Sequence, residues 1–389
     1  MRHTLAVLRV LVVLPFPPVP EGGAASRCAL GLLRGLEARG TSFRVLAADM
    51  GSASPEAPPS DLPVEVMGIQ WPSRGQARAE RVLSPNSLLS RGPFAERVKQ
   101  LAAEADVVHL VDSRTAGVAG QIDRPAVVQL DCVTLRDRKL EAPWHEEGRI
   151  TIELLRSERR ACKSARWLLA NSPEVQRPLA VSWPHAHVAV APLALDLANY
   201  RPAASLQNSA AGLIGNANWP PTRKAVERLL TGVWPLVSEQ RPEARLLLAG
   251  TDMERATFAH LPDSPGIEWH GRVPAAADFL RELGFLLYPL TAGSGAKVKV
   301  LEALALGLPV VSTPEGAEGL GALGGVDVET EDRLLAAAAV RLHDDMQARR
   351  HAGEQARQTF VEHHTPMAAA GPVLDLYERM RTTARSYRN

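Results

Sequence analysis

Two charged side chains, Lys299 and Glu302, stand in "AGSGAKVKVLEALALG" (292–307), whose other residues apart from Lys297 are Val, Leu, Ala, Gly and one Ser. On a 3.6-residue period Gly295, Lys299 and Glu302 share one stripe, and Val298, Leu301 and Ala305 form another face. The stripe begins where a helix would start. Free N–H groups and the positive dipole end make such a start a site for an anion. A lysine one turn further in adds a full charge, and a carboxylate one turn beyond accepts from hydroxyls such as those of a ribose. A nucleoside diphosphate has both parts. The plain alternative is an i,i+3 ion pair on a wet edge, worth about 0.3 kcal/mol. Against it, the helix is apolar nearly all round, as a buried crossover with one wet side would be.

The elements needed to place that stripe are legible. "FLLYPL" reads as a strand, "TAGS" as the loop after it, residues 295–306 as a helix with Ser294 as N-cap and Gly307 as its stop, and "LPVVST" as the next strand, a βαβ unit. The same alternation fills the chain. Short Val/Leu-rich runs ("VLVVLPF", "FRVLAA", "ADVVHLV", "PAVVQL", "ARWLLAN", "HVAVAPL") separated by helices predict a parallel sheet buried on both faces. "DLANYRPAASLQNSAAG" breaks the period and reads as a linker. The pattern resumes with "GLIGN", a helix over about 223–237, "ARLLLAG", "GIEWHG" and "GVDVE". The expected domains are 1–203, 204–365 and a final helix over 366–389 returning to the first domain. Residues 333–385 read as helices broken near Thr365, Pro366 and Pro372. Two doubly wound domains joined in this way predict a cleft, with ligands beyond the carboxyl ends of the strands. Gly22 and Gly23, after the first strand and before a helix, sit where a phosphate could approach, although a plain turn explains them equally. "GSGAK" lacks the spacing of a P-loop.

A chain of 389 residues suits two or three domains. Its 46% hydrophobic and 22% charged content is that of a folded globular protein, and a net charge of +1 without a basic tract gives no case for nucleic acid. Cys28, Cys132 and Cys162 are scattered and read as reduced thiols, and His185 and His187 lack a third ligand for a metal. The amino terminus has a basic start and an apolar run, but Arg9 interrupts that run, so Val10 to Phe16 reads as a first strand rather than a signal peptide. No apolar segment reaches the roughly 18 residues of a membrane span. The expectation is a cytoplasmic chain, with peripheral membrane contact left open.

With these residues in place, "PLTAGSGAKVKVLEALALGLPVVSTPEGAEGL" resembles the donor-site segment of the GT-B glycosyltransferases of family 4, G-S-G-x-x-x-K-x-x-E-A-x-A-x-G-x-P-V-V-x-T followed by G-A-E-G-L. "VLVVLPFPPVPEGGAASRCALGLLRGLEARG" is similar to that family's first strand, glycine loop and helix. "PLALDLANYRP" falls where the family has P-N-G-V-D-x-x-x-F-x-P, and "NANWPPTRKAVERLLTGVWPLVSEQRPEARLLLAG" resembles the opening of its second domain. The resemblance covers most of the chain and is patchy over 52–144.

The resemblance implies the GT-B fold and retaining transfer of a sugar from a nucleotide donor, without a cofactor or obligatory metal. Glu302 would bind the ribose. Lys299 and the backbone at Gly295 and Ala296 would hold the diphosphate, while Gly271, Arg272 and Val273 of "HGRV" would border the base. Gly23 would face donor phosphates or acceptor, and Asp131, closing the strand "AVVQLD", would face the reacting sugar unless it is a turn or cap residue. Ser294 stands where many relatives have the first of two glutamates eight residues apart, touching the donor sugar. The Arg and Lys pair after the second domain's first strand is not evident, since Arg223 and Lys224 come late. P-N-G-V-D reads Pro192, Leu193, Ala194, Leu195, Asp196. UDP is expected over GDP. The acceptor, whether glycan, lipid-linked sugar or small natural product, is left to the loops at 52–63 and 74–92. A non-catalytic nucleotide-sugar binder and a nucleotide-sugar epimerase are the alternatives.

Overall fold

The computed structural model of the chain describes residues 7–51, 57–69, 87–142, 144–202 and 208–386. They form two compact units, Met1–Asp196 with Pro366–Asn389, and Leu197–Thr365. The division falls at Asp196 rather than at residue 203.

The first unit is built on β1 (Arg9–Leu14), β2 (Ser42–Asp49), β3 (Val64–Gly68), β4 (Val107–Val111), β5 (Ala126–Leu130), β6 (Trp167–Ala170) and β7 (His187–Val190). They form one parallel sheet in the order β3-β2-β1-β4-β5-β6-β7. Arg9 breaks the apolar run because it is the exposed first residue of β1. After it, side chains alternate between two cores, as the period of a strand demands. Val10, Val12 and Leu14 pack with Leu30, Leu33 and Leu36 of α1 (Ala24–Ala38). Leu11 and Val13 pack with Phe94 and Val98 of α2 (Gly92–Ala103). α3 (Glu146–Ser164) and α4 (Pro173–Ser182) complete the crossovers. Gly40, at φ 67°, ends α1 in the left-handed conformation that a side chain disfavours.

The second unit has β8 (Ala211–Asn216), β9 (Leu246–Thr251), β10 (Ile267–Gly271), β11 (Phe285–Tyr288), β12 (Val310–Ser312) and β13 (Val326–Val328), parallel and ordered β10-β9-β8-β11-β12-β13. The helix expected over 223–237 runs instead from Pro220 to Gln240 in three parts: α5 (Pro220–Arg228), a π turn over Leu229–Val233, and α6 (Trp234–Gln240). Pro235 cannot donate to the preceding turn, and the wider turn accommodates that. After β10 comes α7 (Ala276–Arg281), between β11 and β12 lies α8 (Val298–Leu306), and after β13 come α9 (Asp332–Asp344) and α10 (Met346–His363).

The final helix, α11 (Pro366–Ser386), belongs to the first unit, where Val373, Leu376, Tyr377 and Met380 enter the core beside α1. The break expected at Pro372 does not occur. A proline inside a helix costs about 3 kcal/mol, and burial of the apolar face that follows offsets it. The tail is interrupted near Thr365 and Pro366 as expected, between α10 and α11, and also at Asp345, whose side chain accepts from the Gln347 and Ala348 amides and caps α10.

Candidate functional site

In the second unit, β11 delivers the chain into a loop over 289–297 that is pinned from several directions. Ser312 and Thr313 at the end of β12 donate to the carbonyls of Tyr288 and Leu290, each at 2.6 Å. The Gly295 amide donates to Glu318 Oε1 at 2.6 Å. The buried Lys297 ammonium returns to the Gly295 carbonyl. Gly293 and Gly295 take φ of 110° and 75°, which explains their residue type. A Cβ on Gly293 would meet the Trp219 ring at 3.1 Å, and one on Gly319 would meet Ala296 at 2.8 Å, so no side chain fits between these groups.

The helix begins three residues later than the sequence suggests, at Val298, and its N-cap is Lys297, not Ser294. Ser294 is buried in the loop instead. The loop's own turns at Gly293 and Gly295 keep the backbone out of helical geometry until Lys297. Its carbonyl then accepts from the Val300 and Leu301 amides, while those of Val298 and Lys299 have no acceptor among the described residues. Two free N–H groups at a helix start, in a Gly-rich loop, are donors for an anion.

Lys299 and Glu302 fall on one face of α8 as expected. Lys299 Nζ lies 3.3 Å from Glu302 Oε2, and the two side chains are 22% and 1% exposed. Glu302 Oε1 accepts from the hydroxyl of Tyr200 at 3.0 Å. Glu302 is therefore no solvated surface acid: it is held inside by Tyr200 and reached from the open side by Lys299.

Gly271, Arg272 and Val273 stand at the end of β10, at the far edge of this sheet with β9 and β8 between it and β11. Gly271 is in the left-handed region at φ 59°, and Arg272 is exposed.

Two further expected residues lie in the first unit. Gly23 is the N-cap of α1, exposed, with extended backbone and open space where a Cβ would be, so nothing local demands a glycine. Asp131 follows β5 and lines a pocket at the carboxyl ends of the central strands together with Asp112, Gln129, Phe16, Cys28 and Val373. Burial pushes its carboxyl up to about 6, Asp112 adds to the rise, and the Gln129 amide opposes it. Asp112 itself holds an uncommon φ of 72°, with the Arg114 guanidinium forked onto its carboxylate at 3.1 Å. Strain at Asp112 and the raised carboxyl of Asp131 lie beside the point where strand order reverses, between β1 and β4, which makes this pocket a candidate binding position. Of the acceptor-side loops, 52–56 and 74–86 lie outside the described residues.

Several residues that shape these sites were not singled out by spacing or periodicity. Tyr200 is in the linker, Glu318 lies sixteen residues beyond Glu302, and Trp219 opens α5. All three stand inside segments quoted above for their resemblance, Glu318 in "GAEGL", Tyr200 in "PLALDLANYRP" and Trp219 in "NANWPPTRK", but no spacing joins them to α8. His185 and His187 have ordinary contacts: His185 Nε2 lies 3.2 Å from the Cys162 carbonyl, and His187 stacks on Trp167.

Two family models match the chain, "Glycosyl transferase 4-like domain" over 23–194 and "Glycosyl transferases group 1" over 209–345. No curated protein matches it. Among solved structures, HepE of Anabaena with UDP and glucose is 16% identical, covering 95% of this chain and 99% of that one with a TM-score of 0.64. Sucrose-phosphate synthase of Thermosynechococcus elongatus is 16% identical over 96% and 100%, with a TM-score of 0.70. TarM of S. aureus, in complex with Fondaparinux, alpha-GlcNAc-glycerol and UDP, is 9% identical over 95% and 100%, also at 0.70. With both units matched in order and the fold shared along nearly the whole length, the chain belongs to the glycosyltransferases of the GT-B fold.

Proposed function

We propose that the protein is a retaining glycosyltransferase of family 4 that moves a sugar from a UDP-sugar to an acceptor bound by the first unit, without an obligatory metal. The observation that carries this reading is the start of α8, where the unpartnered Val298 and Lys299 amides, the Lys299 ammonium and the Glu302 carboxyl follow one another along a single helix face. The amides of this helix start and Lys299 neutralise the charge that develops on a departing diphosphate, the role a divalent cation plays elsewhere. Gly295 and Ala296 supply backbone approach to the phosphates, with Ser294 behind them. Glu302 takes the ribose hydroxyls, and Gly271, Arg272 and Val273 border the base. Gly23 gives the acceptor side an open backbone position, and Asp131 provides a carboxyl for the oxocarbenium-like sugar or for the acceptor hydroxyl. The UDP in the HepE and TarM structures favours UDP as the nucleotide here.

The test is a thermal-shift screen of the full chain against UDP-, GDP- and dTDP-sugars in EDTA, with mass spectrometry of the donor, repeated with Glu302→Gln. A shift with UDP-sugars that the variant loses, with slow release of free sugar of retained anomeric configuration, supports the reading. A shift without any turnover supports a non-catalytic binder, and conversion of the intact donor to an isomer an epimerase. No shift with any nucleotide overturns donor binding at α8.

A further inference from the structure

Tyr200 belongs to the chain segment that opens the second unit, and its surroundings are unusually complete for a linker residue. Leu197–Asn199 forms a 3-10 turn, and the Tyr200 amide closes on the Leu197 carbonyl at 3.0 Å. Its carbonyl accepts from Arg357 Nη1 of α10 at 3.1 Å, and the same guanidinium reaches the Ala305 carbonyl of α8. The ring is 2% exposed, and its hydroxyl donates to Glu302 Oε1 at 3.0 Å. A ring needed only for packing would be served by phenylalanine, the residue of the motif this segment resembles. A buried hydroxyl is stable only with a partner, and here that partner is the carboxyl assigned to the ribose.

The two oxygens of Glu302 are thereby made unequal. Oε1 is taken from the interior by Tyr200, whereas Oε2 is approached by Lys299, the more exposed of the two partners. We infer that Tyr200 is a positioning residue for nucleotide binding: by fixing Oε1 it turns Oε2 toward the ribose diol, and Lys299 leaves Oε2 for the phosphates when the nucleotide enters. This rests on the donor reading of α8. Because the backbone of Tyr200 is tied to α8 and α10 through Arg357, the hydroxyl is held by a frame that does not depend on the ligand, and its bond to Glu302 exists before binding.

The experiment compares wild type, Tyr200→Phe and Glu302→Gln by calorimetry with UDP and with 2′,3′-dideoxy-UDP. The expected result is that Tyr200→Phe, which keeps the ring, binds UDP about tenfold more weakly, an ordinary loss for one hydrogen bond to a charged group. It should bind the dideoxy compound as the wild type does. Equal losses on both ligands would make Tyr200 a structural residue and overturn the inference. So would unchanged UDP binding by Tyr200→Phe alongside weakened binding by Glu302→Gln. If both variants bind UDP as the wild type does, the donor reading itself falls and takes the inference with it.

Discussion

Gln129 and Asp131 face the same way from one strand end, and the Gln129 amide nitrogen donates to both oxygens of that carboxyl, at 2.9 and 3.1 Å. Two residues apart at the end of β5 place side chains on one side. The amide partly satisfies a group that burial disfavours in its charged form, and the balance leaves Asp131 with a pKa of about 6 against an ordinary 3.8. An acid whose pKa rises on folding binds more protons in the folded state, so its contribution to stability is best below pH 3.8 and declines as pH climbs toward 6. Asp131→Asn should therefore raise the unfolding free energy at pH 7 to 8 by about 2 kcal/mol, and leave it unchanged near pH 3.5. Chemical denaturation at several pH values checks this. If Asp131 serves the transfer step, the same variant should lose turnover about a hundredfold while gaining stability, the opposition expected at a functional carboxyl.

His109 gives a slope of the other sign. It lies fully buried on β4, sharing a 2.5 Å hydrogen bond with the Tyr377 hydroxyl of α11, and burial takes its pKa from 6.5 down to about 4. A base whose pKa falls on folding contributes stability that is complete above pH 6.5 and lost as pH drops toward 4, at about 1.4 kcal/mol per pH unit. His109→Gln should flatten this acid limb. In the double variant with Asp131→Asn, the opposing slopes between pH 4 and 6 should both vanish, readable in the same titrations.

Lys299→Ala should weaken UDP binding by tenfold or more and reduce its dependence on salt, because one fixed charge on the diphosphate is gone. It also leaves Glu302 with Tyr200 and without its outer partner, so a fall of about 1 kcal/mol in stability should accompany the change. Lys299→Arg should restore part of the affinity. Calorimetry at two salt concentrations separates the effects.

Gly35 of α1 lies so close to α11 that a Cβ would meet the Pro366 carbonyl at 2.5 Å and Ala370 at 3.0 Å. Gly35→Ala should cost roughly 1–3 kcal/mol by forcing the helices apart. Gly23→Ala, where a Cβ meets nothing within 4 Å, should leave stability within about 0.5 kcal/mol. The unfolding midpoints of the two variants side by side test whether α11 is an integral part of the first unit.

Much of this fold could be read in advance because its strands are buried on both faces and leave unbroken apolar runs. Only β3 escaped, and "VEVMG" shows why: it is an edge strand with Glu65 and Val66 exposed, so no apolar run marks it. Lys299 and Glu302 were legible as a stripe because a helix converts spacing directly into a shared face. The start of α8 was misplaced because Ser294 has the chemistry of a cap, and the sequence carries no local mark of the left-handed turn at Gly295 that delays the helix. Tyr200 and Glu318 reach their partners across 102 and 23 positions, and no periodicity spans such separations. Asp131 was legible as a strand end, but its raised pKa depends on Asp112 and Gln129 arriving from folded strands.

The return of α11 to the first sheet sets an order of events during synthesis. The chain leaves that unit at Asp196 and comes back only at Pro366, so every strand of the first sheet is made long before Val373, Leu376, Tyr377 and Met380 exist to cover it. On the ribosome, the segment from Leu197 to Thr365 can complete its own core first, while the earlier-made half waits with the part of its apolar face beside α1 uncovered. A helix translated after the whole of the second unit thus closes a sheet laid down before that unit, and until it docks, that nascent half is the part a chaperone would recognise.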